Sequence, residues 1–82
     1  MEIKTIKTMK QPYIGCLIRE LRLEMGLTQE PFAAHLGVVF PTVNRWENGH
    51  AQPSPMALKL IDFKLKELGT LGEELLLQYS SK

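Results

Sequence analysis

Asn44, Arg45 and Asn48, with Pro41 one turn ahead of them, recur at i, i+3, i+4 and i+7. On a helix that spacing gathers them on one face. A guanidinium offers a rigid fork of donors, and each carboxamide sets a donor beside an acceptor. The chemistry available to such a face is hydrogen-bonded recognition. Other chemistries find less support. Cys16 falls between Ile14 and Leu17 with no histidine placed to activate it, so nucleophilic catalysis is not expected. His35 and His50 stand apart, without a cysteine or second histidine at ligand spacing, and no metal is expected. The acidic residues are dispersed and no phosphate-binding glycine loop occurs, which leaves no reason to expect a cofactor or an enzyme.

The polar face needs elements to carry it, and apolar spacing supplies them. Ile14, Leu17, Ile18 and Leu21 predict a first helix from Tyr13 to about Met25, closed by Gly26. Thr28 reads as the N-cap of a short second helix, with Glu30 and Pro31 in its first turn and Phe32, Ala33 and Leu36 on its apolar side. Gly37 then permits a sharp left-handed turn. A third helix is expected over residues 40–48, with Val39, Val43 and Trp46 pointing inward. Trp46 on that stripe reads as core rather than as a stacking platform for single strands, and no RNA-binding signature accompanies it. Ser54 before Pro55 is a strong helix start. Leu58, Ile61, Leu65 and Leu68 give that fourth helix its stripe, and Leu71, Leu75 and Leu76 mark a fifth over residues 70–79. The expected fold is all-α, compact and five-helical. Residues 1–12 form an arm bearing Lys4, Lys7 and Lys10 whose pattern around Ile3, Thr5, Ile6 and Lys7 fits neither period. It reads as a loose terminus, with a short strand or a DNA-touching arm as the alternatives.

Bulk properties bound the function. The chain has 82 residues, enough for one domain, and 44% of them are hydrophobic, too many for a disordered chain. A single cysteine excludes an intramolecular disulfide and suits a reducing compartment, and no apolar run is long enough to span a membrane. A cytoplasmic location is expected. Ten basic against nine acidic residues leave a net charge of +1, so total charge is silent about partners and only its arrangement can speak.

Residues 29–48 resemble the helix-turn-helix of the Cro/C1-type (XRE) repressor family. The resemblance is carried by Ala33, Leu36, Gly37, Val38, the run Thr42-Val43-Asn44-Arg45-Trp46-Glu47-Asn48-Gly49, and Pro53 and Ser54 after it. The run from Leu21 to Gln29 is also similar, and the likeness extends over about residues 14–68. It implies a lambda-repressor-like DNA-binding domain at residues 13–69, with helices 2 and 3 as the motif and residues 70–82 appended. Physical reasons stand beside it. Ala33 must be small where helices 2 and 3 cross, Gly37 sits where a Cβ would be strained, and Val43 and Trp46 anchor helix 3 so that its other face projects rigidly. Such a helix fits the major groove of B-DNA.

On this face and in this motif, Arg45 is expected to read guanine O6 and N7 rather than stand as a solvated surface charge, and Asn44 either reads adenine, holds a phosphate or is simply an exposed polar residue. Gln29 and Asn48 match phosphate-contacting positions, and Gln29 lies at a helix start that favours an anion. The Thr42 hydroxyl either bonds a phosphate or back-bonds to its own helix. Glu47 would be repelled by DNA and is expected to pair with Arg22, locking helix 3 to helix 1.

Three positions depart from the pattern. Val39 replaces a capping serine or threonine, and Phe40 and Pro41 stand where relatives often carry polar, base-reading side chains. Either they touch thymine methyl groups, or the face serves another protein. The resulting expectation is a transcriptional regulator, a repressor by occupancy, dimeric through the last helix (Leu71, Leu75, Leu76, Leu77, Tyr79), with burial of that helix on its own domain nearly as well supported. The alternative is an antitoxin-like or adaptor module that holds a protein partner such as a toxin.

Overall fold

Four glycines with positive φ, Gly26, Gly37, Gly49 and Gly69, close the first four of five helices. The computed structural model describes residues 6–80, and among them the regular structure is helical throughout. A 3-10 turn at Ile6–Thr8 precedes α1 (Tyr13–Glu24), α2 (Gln29–Leu36), α3 (Phe40–Glu47), α4 (Pro55–Glu67) and α5 (Thr70–Ser80). Ile14, Leu17, Ile18 and Leu21 of α1 are fully buried and form the centre of the core. Phe32, Ala33 and Leu36 of α2, Val43 and Trp46 of α3, and Leu58, Ile61 and Leu65 of α4 close around them.

The turn between α2 and α3 follows from Gly37. Its φ of 70° and ψ of 27° are left-handed, and the N–H groups of Gly37 and Val38 bond back to Ala34 and Ala33, satisfying the end of α2 as a glycine cap does. Start signals differ in strength. Ser54 accepts from the Ala57 N–H at 3.1 Å, whereas Thr28 has the extended backbone of an N-cap without a side-chain bond.

Val39 corrects the expected inward stripe of α3. It is 66% exposed because it stands before the helix, in an extended conformation (φ −90°, ψ 156°), where helical spacing no longer applies. The arm is corrected too. Ile6 and Met9 are buried in the core, and the Gln52 side chain donates to the Met9 carbonyl at 2.9 Å, so from residue 6 onward the segment is neither strand nor loose chain. Ile3, Lys4 and Thr5 lie outside the described residues. In α5, Leu75 is buried, and Leu76 and Tyr79 pack on the core. Leu71 and Leu77 are its exposed apolar side chains.

Candidate functional site

Helix α3 is only eight residues long, so its position depends on what holds it. From below, Val43 and Trp46 enter the core. Behind its C-terminal end, α1 approaches so closely at Gly15 that an added Cβ would collide with the Trp46 carbonyl oxygen. Gln11 completes the clamp. Its amide donates to the carbonyls of Trp46 (2.9 Å) and Ala51 (2.7 Å), and its own oxygen accepts from the Gly15 N–H at 3.0 Å.

The strongest restraint is ionic. The Glu47 side chain has no exposed surface, and a buried carboxylate needs partners on both oxygens. Arg22 supplies a two-pronged contact, Nε to Oε2 at 2.7 Å and Nη2 to Oε1 at 3.0 Å. Its Nη1 donates to the Leu27 carbonyl at 3.0 Å, tying the α1–α2 connection into the same cluster. Arg19 adds a longer contact at 3.5 Å and Gln29 Nε2 a bond at 3.1 Å, both to Oε1. Burial pushes the Glu47 carboxyl up, but the hydrogen bonds from Arg22 and Gln29 and the charge of Arg22 outweigh it and hold the group below its ordinary range. The hydrogen bond to Glu47 in turn raises the Arg22 guanidinium.

The opposite side of α3 is polar. Asn44 Nδ2 donates to Gln29 Oε1 at 3.1 Å, and Asn48 Nδ2 donates to Asn44 Oδ1 at 3.0 Å. Gln29, Asn44 and Asn48 therefore form one connected surface, although Gln29 belongs to another helix. Arg45 is exposed, and its side chain pairs with no described residue. Val39, Phe40 and Pro41 are exposed at the leading end, and Phe40 borders an open cleft with Arg22, Thr28, Gln29 and Glu30. Thr42 is half-buried, and its hydroxyl makes no back-bond to the helix.

The structure thus brings Gln29, Val39, Phe40, Pro41, Thr42, Asn44, Arg45 and Asn48 to the region around α3. Ala33, Gly37, Val43, Trp46, Arg22 and Glu47 lie beneath and beside it. Sequence reasoning missed Gln11, Gly15 and Arg19. Nothing local marks Gln11 or Arg19 for this site, since the contacts that bind them to α3 and the loop after it cross more than twenty-five residues of chain. A glycine inside a helix was the available signal for Gly15. Among the described residues no cluster suited to a metal ion occurs, and no helix is long and apolar enough to cross a membrane.

A family profile described as helix-turn-helix matches residues 18–62, more than half of the chain. The propionyl-CoA carboxylase regulator of Cereibacter sphaeroides is 50% identical over 38 residues, which are 46% of this chain and 8% of that protein. The chain therefore spans less than a tenth of that relative's length. No solved structure matches the chain.

Proposed function

The chain belongs to the helix-turn-helix family, and from that premise we propose that it is a sequence-specific, double-stranded-DNA-binding transcriptional regulator that inserts α3 into the major groove. One observation carries the reading. Helix α3 is fixed from behind by the buried Glu47–Arg22 pair and presents an unpaired, exposed Arg45 on its free side. A guanidinium held out on a rigid helix is suited to the paired acceptors O6 and N7 of guanine.

The surrounding residues divide the remaining work. Gln29 and Asn48 flank α3 and contact phosphates. The uncapped start of α2, where Thr28 makes no side-chain bond, leaves backbone N–H groups for the same anions. Thr42, with its hydroxyl free, takes a further phosphate. Val39, Phe40 and Pro41 meet thymine methyl groups at the leading end. The regulatory class agrees with the Cereibacter sphaeroides relative, which is named as a regulator. Repression by occupancy is the simplest mode for a domain of this size, acting in the cytoplasm as a homodimer on a two-fold site.

A second reading is favoured by one feature. Val39 and Phe40 are 66% and 44% exposed, an apolar tip that also suits a protein partner and so an adaptor or antitoxin-like module. Titration of a labelled random-sequence duplex at rising salt separates the two. DNA binding predicts affinity that falls with a log–log slope of about −0.9 for each phosphate neutralised. Absence of duplex binding at low salt would overturn the proposal and favour the adaptor.

A further inference from the structure

Asn44 occupies the middle of the exposed face, where an adenine-reading amide would be sought, yet each end of its carboxamide already carries a hydrogen bond to a neighbouring amide. Its Nδ2 donates to Gln29 and its Oδ1 accepts from Asn48. Beyond Gln29 the chain of bonds ends on Glu47 Oε1, whose side chain has no exposed surface. We propose, building on the DNA-binding reading above, that Asn44 is a positioning residue that reads no base. It is the central link of a relay, Asn48 to Asn44 to Gln29 to Glu47, that sets the orientation of the two phosphate-facing amides.

The direction of the relay follows from acid–base chemistry. An ionised carboxylate only accepts hydrogen bonds, and the partners of Glu47 hold its carboxyl in the ionised form. Gln29 must therefore turn its NH2 group toward Glu47. With its nitrogen committed there, its oxygen faces Asn44, which must answer with Nδ2. That choice leaves Asn44 Oδ1 to face Asn48, which answers with Nδ2 in turn. Each bond polarises the next toward the charge at its end. A free carboxamide can flip by half a turn and exchange donor for acceptor. In the relay, one flip anywhere would set two oxygens or two NH2 groups against each other.

Each amide nitrogen keeps a second N–H beyond its relay bond, and those N–H groups are the donors that a phosphate oxygen needs. Bidentate contact with adenine would have to use the second N–H and the second lone pair of Asn44, with the carboxamide already held in the plane that the relay sets. The relay also joins the first residue of α2 to the residue that follows α3, so the two flanking amides are placed relative to one another as well as to Arg45.

The test combines side-chain amide NMR of the free full chain with selection from a random duplex library, for wild type, Asn44→Ala and Arg45→Ala. The relay predicts displaced NH2 resonances for Gln29 and Asn48 in the wild type. In Asn44→Ala the Asn48 resonances move toward free-amide positions while those of Gln29 stay displaced by its bond to Glu47, and both sets stay put in Arg45→Ala. The selected motif is unchanged in Asn44→Ala, while affinity falls about fivefold for every sequence, the scale of one lost hydrogen bond. Relaxed preference at a single base pair in Asn44→Ala would overturn the proposal by making Asn44 a reader. So would Asn48 resonances that do not respond to the substitution. If the wild type selects and binds no duplex at all, the DNA reading fails by itself, and the resonances alone decide whether the relay exists.

Discussion

At the residue scale, Glu47 organises the site without touching the proposed target. Its carboxylate would repel phosphate on the surface. Buried at the end of α3, it ties two arginines of α1 and the first residue of α2 to that helix. Desolvation makes such a pair a weak source of net stability, yet removing one partner strands a buried charge. Arg22→Ala is accordingly expected to destabilise the fold by about 3 kcal/mol, read as a lowered denaturation midpoint; an unchanged midpoint would contradict the account. The same carboxyl gives the protein an acid dependence. Its folded value lies below the ordinary 4.5, so the pair's stabilisation is complete above that range and is lost as pH falls through the lower folded value. Glu47→Gln should remove that part of the acid transition while lowering stability at neutral pH. The pairing of Glu47 with Arg22 was anticipated only through family resemblance. The amide relay was not anticipated at all, because its bonds run between helices whose relative placement no local pattern records.

At the element scale, the five helices were legible because their signals are local. Apolar residues at i, i+3, i+4 and i+7, glycine at the ends and proline after Ser54 act within one or two turns. What escaped was set by neighbours distant in sequence. Ile6 and Met9 are buried because α4 and the loop before it lie against them, and Gly15 is small because the Trp46 carbonyl passes over it. Val39 failed for a different reason. Helical spacing begins one residue after it, because Val39 is the N-cap of α3 with an extended backbone that turns its side chain outward. That position carries its own prediction. Ser54 shows the bond that α3 lacks, a hydroxyl accepting from the N–H three residues on. The Thr42 N–H already donates to the Val39 carbonyl at 3.0 Å, so Val39→Ser would share that donor and should stabilise the protein by about 0.5 kcal/mol, raising Tm by about 2 °C. An unchanged or lower Tm would show that the start of α3 is already satisfied.

At the scale of the whole molecule, a net charge of +1 gives little general attraction to DNA, so affinity per domain should be modest. Two domains on two half-sites add their binding energies. Most of the apolar surface of α5 is spent on its own core, leaving Leu71 and Leu77 outside, 39% and 56% exposed. If these residues form the proposed dimer contact, Leu77→Lys reduces the mass measured by light scattering from dimer to monomer and leaves Tm nearly unchanged. A wild-type monomer at high concentration would remove the dimer from the account. The central claim remains that α3 reads sequence through Arg45, and selection from a random duplex library with wild type and Arg45→Ala tests it most directly. The account predicts a two-fold symmetric motif with a guanine in each half, whose preference relaxes in the variant while the remaining positions persist. A motif that Arg45→Ala leaves unaltered, or no motif at low salt, would contradict it.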